Sequence, residues 1–274
     1  MSGALASREQ CPAIPYTPAE YAAEARRVVD EGGVMVHLHA RKPDGTPSHE
    51  IEDFRAITDA IRGEVGDAVI VNYSTGALGV PVSKRLAYLT ELRPEVGALN
   101  MGSMNYAKYS ARRKDFVFKA VFENSFDTIT ELLAGMVAVG IRPEHECFDS
   151  GHVASLDPLL DMGVLQPPLQ VSFVMGVTGG IRPTARNVAH MAEQVPDVPH
   201  QWGVIGISRA QWGLLAAALS LGGNVRVGLE DNFYLPSGEM ARSNGELVAR
   251  AARMAVDAGR RLATVSEARE LLGL

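Results

Sequence analysis

The sequence predicts an α/β fold, a (β/α)8 TIM barrel built by a single catalytic domain over residues 1–274, and three observations predict it. From Thr17 onward, helical periods alternate with short apolar β-rich runs, and each run ends on a Gly, Pro, Ser or Asp cluster. Strands regularly separated by helices must run parallel, and seven such runs at this length fit a barrel better than an open sheet. No GxGxxG follows an early strand; Gly176-Val177-Thr178-Gly179-Gly180 and Ser74-Thr75-Gly76 miss that spacing, which argues against the doubly wound alternative.

The first helix opens at Thr17-Pro18-Ala19-Glu20, a capping box with Pro at the first helical position, and stops at Gly32-Gly33. Strands follow at Val34 to Ala40, Ala68 to Ser74, Val96 to Met101, Glu144 to Asp149, Leu169 to Met175, Gln201 to Ile207 and Val225 to Glu230. Between them the helical period recurs near Glu50 to Val65, Val82 to Leu92, Thr128 to Val139, Ala154 to Met162, Ala185 to Gln194 and Ala210 to Leu221. Two helices close the chain, Gly245 to Ala258 and Val265 to Leu272, the latter behind a second capping box, Thr264 to Glu267. The residues before Thr17 hold no β-rich apolar run, so the first barrel strand is expected to be missing or truncated at the N-terminus.

With 46% hydrophobic residues the chain can bury a full core. Its 26 basic and 32 acidic residues give a net charge of −6 without a basic tract, which speaks against nucleic acid, whose affinity comes from neutralised phosphates. Cys11 and Cys147 form no CxxC pair, so neither a disulfide framework nor a thiolate cluster is indicated, and a reducing cytoplasm is the expected compartment. The most apolar stretches are too short to span a bilayer, so no membrane partner is expected.

Candidate chemistry concentrates at strand ends. In Val34 to Arg41, strand alternation puts Met35, His37, His39 and Arg41 on one face, so two imidazoles project together near the end where barrel active sites are built. Metal chelation is one use of such a pair; hydrogen bonding within a polar layer is the other. Arg226, Gly228 and Glu230 share a face of the last strand, which in a closed barrel lies beside the first; Glu230 is then a third ligand, or Arg226 and Glu230 form a structural ion pair. Glu146 and Asp149 lie near the C-terminal end of their strand, where a carboxylate can act on a substrate proton, while Glu144 sits at the strand entry and is expected in solvent. Ser74-Thr75-Gly76 can present a hydroxyl and backbone N–H groups to a carboxylate, or serve simply as a turn.

Together these residues resemble the β-keto acid cleavage enzymes, the family of 3-keto-5-aminohexanoate cleavage enzyme. The resemblance runs through Pro15 to Glu20, His37 to Arg41 with Pro43 to Ser48, Ser74 to Gly76, Leu99 to Asn105, Phe173 to Val177 and Arg226 to Asn232. It implies a zinc-dependent barrel that converts a β-keto acid and acetyl-CoA into acetoacetate and a new acyl-CoA. It also implies one zinc per subunit on His37, His39 and Glu230, catalytic roles for Arg226, Asp231 and Glu146, and substrate contacts at Ser74, Thr75, Gly76 and Asn100. A homo-oligomer, dimer or tetramer, follows from the resemblance alone. Leu5 stands where the member acting on an amino-bearing substrate has glutamate, and a leucine cannot balance a buried ammonium, so a neutral or apolar acyl tail is expected. Ala98 replaces a threonine that helps bind substrate, which shifts carboxylate recognition toward Ser74 and backbone groups. The competing readings are another metal-dependent aldolase or hydrolase acting on a carbonyl, and a truncated barrel without catalysis.

Overall fold

The computed structural model describes residues 1–274. Nine strands form: β1 Met35–Leu38, β2 Ile70–Tyr73, β3 Val96–Asn100, β4 Met104–Ser110, β5 Asp115–Phe122, β6 Arg142–Cys147, β7 Leu169–Met175, β8 His200–Gly206 and β9 Asn224–Arg226. Ten helices accompany them: α1 Pro18–Asp30, α2 Ile51–Val65, α3 Val82–Leu92, α4 Phe126–Ala138, α5 Ser150–Ala154, α6 Leu156–Asp161, α7 Ala185–Ala192, α8 Gln211–Ser220, α9 Asn244–Asp257 and α10 Val265–Leu272. The seven expected strands make one parallel sheet in the order β1-β2-β3-β6-β7-β8-β9, with each neighbouring pair hydrogen-bonded. The complete eight-stranded barrel is not formed: β1 and β9 are the free edges of a curled sheet, and the first sixteen residues run as turns and irregular chain.

The helical layer nevertheless bridges that seam. Both expected capping boxes form, Thr17 with Glu20 and Thr264 with Glu267, and α1 buries Tyr21, Ala22, Ala25 and Val28 along one stripe. Glu24 of α1 is buried and accepts from both the backbone N–H and the side-chain amide of Asn244, which tethers α1 to the start of α9. Hydrogen bonds to a charged acceptor contribute about 1.5–3 kcal/mol each.

Strand alternation sorts the two faces of the sheet. Val36, Leu38, Val71, Tyr73, Leu99, Val171, Phe173 and Val204 pack outward into the main core beneath the helices. The opposite face is unusually polar, carrying His37, Asn72, Asn100, Glu144, Glu146 and Ser172, all buried. Glu144 corrects its expected solvation: register places it opposite Ala98 and Gln170, inside the curl, where Asn72 Nδ2 and Ser172 Oγ donate to its carboxylate.

The antiparallel hairpin of β4 and β5 is an element that the sequence periodicity does not announce. It rises from the end of β3 and docks through Phe122 and Tyr106 onto Phe148, Val174 and Ile205, and through a bridge from Ala107 to Thr178. No helix is long and apolar enough to cross a membrane, and Cys11 and Cys147 are free and buried.

Candidate functional site

The site is built at the C-terminal ends of the strands, around Arg226. Its guanidinium donates to three carboxylates: Nη2 to Glu230 Oε1 at 2.7 Å, Nη1 to Glu146 Oε1 at 3.1 Å, and Nε and Nη2 to Asp231 at 3.2 and 3.1 Å. β9 ends at Arg226, so Glu230 does not extend the strand as expected; residues 228–232 form a helical turn closed by hydrogen bonds to Gly228 O. That turn brings Glu230 back to Arg226 four positions away, the same pairing by a different route.

His37 and His39 face this cluster from β1 and the residue just beyond it. Their Nε2 atoms lie 3.6 and 3.3 Å from Glu230 Oε1, and their rings meet edge-on at 5.2 Å. A tetrahedral zinc with about 2.0–2.1 Å bonds separates its ligands by roughly 3.4 Å, so these spacings suit a shared cation. Glu230 Oε2 is buried without a hydrogen-bond partner, and the buried N-terminal ammonium of Met1, which donates to His37 O at 2.7 Å, lies 3.6 Å from it. A second triplet, His37 with Glu144 and Glu146, also brings ligand atoms within 4.8 Å of one another.

Local packing fixes these residues. Tyr21 Oη donates to His39 O at 2.7 Å, holding the chain where it carries the second imidazole. Arg41, on the histidine face, donates to Gly3 O, Ala6 O and Ser2 O and so presses the Ser2–Ala6 segment over the site. Gly3 has a left-handed backbone, and a β-carbon there would lie 2.8 Å from Glu230 Cγ, so only glycine fits this close approach. Sequence pattern alone places Arg41 on the histidine face but does not reveal this anchoring role. Leu5 follows on the same segment and is 60% exposed.

Electrostatics divides the carboxylates. Burial raises Glu230, yet Arg226, His37 and His39 outweigh it and hold it ionised well below the usual range. Burial dominates at the other two: Glu146 is pushed up to about 8, against the pull of Arg226 and with help from Glu144, and Asp231 to about 6. Burial also keeps His37 neutral, with its lone pair free.

The Ser74-Thr75-Gly76 turn lies opposite. Gly76 N–H donates to Ser74 Oγ, and Gly76 stands against Asn100 Nδ2, a buried donor without a partner. Ser74, Gly76 and Asn100 therefore converge, whereas the Thr75 hydroxyl turns away to Ala98 O. Asp149 leaves the site altogether; its side chain caps α5. A cavity of about 330 Å³ enters through the seam and reaches His37, Glu144, Arg226 and Asp231, but neither His39 nor Ser74, so it runs beneath the cluster rather than forming its mouth.

Comparison with known proteins places this geometry. The chain is 38% identical over 272 residues to the 3-keto-5-aminohexanoate cleavage enzyme of Fusobacterium nucleatum, covering 99% of this chain and 95% of the relative. It is 33% identical to the 3,5-dioxohexanoate:acetyl-CoA acetone transferase of Paraburkholderia graminis (100% and 93% covered) and 33% identical to the 3-oxoadipate:acetyl-CoA acetyltransferase of Cupriavidus necator (100% and 93%). The apo structure of ObcA superimposes with a TM-score of 0.77 at 21% identity, over 96% of this chain and 66% of that one, just under two thirds of its length. At that identity the likeness concerns the fold alone. The family model of the beta-keto acid cleavage enzymes matches residues 1–274, and the chain belongs to that family.

Proposed function

We propose that residues 1–274 act as one catalytic unit, a zinc-dependent β-keto acid cleavage enzyme that converts a β-keto acid and acetyl-CoA into acetoacetate and a new acyl-CoA. The observation that carries this reading is the convergence of His37, His39 and Glu230 on one point beside Arg226, Asp231 and Glu146, in a chain of this family. Zinc held by His37, His39 and Glu230 would supply Lewis acidity to the keto and carboxylate oxygens of the substrate. In the balanced exchange, the α carbon of the keto acid bonds to the acetyl carbonyl and the thiolate leaves. The thiolate then attacks the original keto carbon, whose bond to the α carbon breaks.

The residues divide this work by charge. Asp231, shifted to about 6, is mostly ionised at neutral pH and is suited to take the α proton. Glu146, at about 8, is protonated there and is suited to return one; two carboxyls driven apart by their environments make an acid and base pair. Arg226 adds fixed positive charge where the enolate and alkoxide develop. Ser74 Oγ, Gly76 and Asn100 Nδ2 receive the substrate carboxylate, with Thr75 bracing their turn. The acyl tail is neutral or apolar, because Leu5 on the clamped Ser2–Ala6 segment offers no counter-charge. The subunits assemble as a dimer or tetramer, which light scattering would establish.

The test is an acetyl-CoA-dependent assay with β-keto acids bearing neutral, anionic and cationic tails, reading acetoacetate and acyl-CoA by mass. Acetoacetate and acyl-CoA, formed only with acetyl-CoA and fastest from a neutral tail, are expected; turnover without acetyl-CoA would establish a hydrolase instead.

A further inference from the structure

The hairpin of β4 and β5 carries a charge pattern opposite to that of the chain. Between Met104 and Phe122 stand Lys108, Arg112, Arg113, Lys114 and Lys119 against a single acid, Asp115, in a protein of net charge −6. All five cations are exposed, and none lies within salt-bridge distance of a carboxylate, whereas nine other arginines on this chain pair with an acid. Five unneutralised cations on one short element form a local field that favours a polyanion.

The root of the hairpin borders the site. Paired residues share a face, so Met104, Tyr106, Lys108, Phe118 and Phe122 point the same way. Phe122 contacts the Gly76 position beside Ser74 and packs edge-on against Phe148, while Tyr106 packs at a tilt against both Phe118 and Phe122. Burial and then the charges of Glu230, Asp231 and Glu146 raise the Tyr106 phenol, which fits a position looking onto those carboxylates. Lys108 is the next residue outward on that face, and a bulge between Lys108 and Tyr109 turns the rest of the hairpin. From Tyr106 to Ser110 the strand extends roughly 14 Å at about 3.4 Å per residue, and the Ala111–Lys114 turn that carries Arg112, Arg113 and Lys114 stands beyond it, so a ligand must be extended to touch both the site and the tip.

We propose that this hairpin is the receptor for the phosphorylated handle of coenzyme A: Lys108 guides the arm, and Arg112, Arg113 and Lys114 take the pyrophosphate and 3′-phosphate. The proposal rests on the acetyl-CoA reading above and gives that substrate a place on the molecule. An acidic protein that uses a polyanionic thioester needs a local basic surface to capture it, and no other short element here concentrates as many free cations.

The experiment pairs the wild type with Arg112→Ala/Arg113→Ala/Lys114→Ala and, separately, Lys108→Gln, each checked by circular dichroism. Adenosine 3′,5′-bisphosphate titrated calorimetrically should bind the wild type in a salt-sensitive way and bind the triple variant at least tenfold more weakly. In turnover, the triple variant should raise KM for acetyl-CoA at least tenfold with kcat unchanged, while KM for the acetyl thioester of N-acetylcysteamine, which lacks the handle, stays the same. Lys108→Gln should shift acetyl-CoA in the same direction by a smaller factor. Bisphosphate binding without turnover would sink the reaction assigned above and leave the receptor standing. Turnover with an unchanged acetyl-CoA KM in the triple variant, or equal bisphosphate affinity in both proteins, would overturn the receptor.

Discussion

Replacing Arg226 by methionine isolates what its charge does. Arg226 is the one side-chain cation paired with Glu146, Glu230 and Asp231, all within 3.2 Å of its nitrogens and all nearly buried, and the Met1 ammonium lies 3.6 Å from the far oxygen of Glu230. Removing one partner from such a cluster costs about 3–5 kcal/mol, because the remaining charges are left desolvated. For a chain of this size that corresponds to a melting point roughly 6–15 °C lower. The sign of the pH dependence separates charge from packing. Burial already raises Glu146 and Asp231, and Arg226 is the main influence holding them down, so both rise further without it. A carboxyl whose folded pKa exceeds its unfolded value supplies stability at low pH that is lost as pH rises through the folded value. Glu146 stays protonated in both proteins up to about pH 8, so Asp231, at about 6, carries the divergence. Calorimetric melting of chelator-treated wild type and Arg226→Met at pH 5, 6.5 and 8 should show a deficit, already present at pH 5 through Glu230, that widens from pH 6.5 to 8. Added zinc should recover more stability in the variant, where it would supply positive charge that Arg226 no longer does. A melting deficit equal at all three pH values would refute the electrostatic account and leave lost packing as the cause.

Three further outcomes are expected. His39→Ala should lose zinc and turnover together, measured by elemental analysis and the acetoacetate assay, with helix content nearly unchanged; retained turnover would remove the metal reading. Glu146→Gln keeps an acceptor for Arg226 but cannot move a proton, so kcat should fall about 10²–10⁴-fold with zinc still bound, and a loss under tenfold would take Glu146 out of the chemistry. Burial lowers His145 to about 4 while Gln170 O holds its Nδ1, so its folded pKa lies below the unfolded value of 6.5. Stability from this group is then full above pH 6.5 and lost as pH falls toward 4, by about 3 kcal/mol; denaturant melts of His145→Leu should be flatter across that window.

Much of this molecule is legible in its sequence. All seven strands of the sheet, both capping boxes and the shared face of His37 and His39 follow from periods of 3.6 and 2, which survive folding because each face must meet one environment. The hairpin was not legible, because an exposed two-stranded ribbon needs no continuous apolar face. Its tip also turns through Lys114 in a left-handed conformation without the glycine that usually signals such a turn. Glu144 was misjudged since an acid at a strand's entry normally meets water; here Asn72 and Ser172, distant in sequence, solvate it instead. The pairing of Arg226 with Glu230 was anticipated from strand alternation, yet a helical turn delivers it, because spacings of four satisfy both geometries.

The seam between β1 and β9 gives the cluster at its rim a mechanical meaning. No ladder joins these two edges, so the sheet is a split ring, and His37 and His39 stand on one lip while Glu230 follows the other. A cation gripped by all three would work as a clasp, fastening the lips through side chains where backbone pairing is missing. Its binding energy would then enter directly into the ring's resistance to opening. Breathing would begin at these two lips, and stripping the metal would loosen them before it loosened β6 or β7, whose edges are paired on both sides.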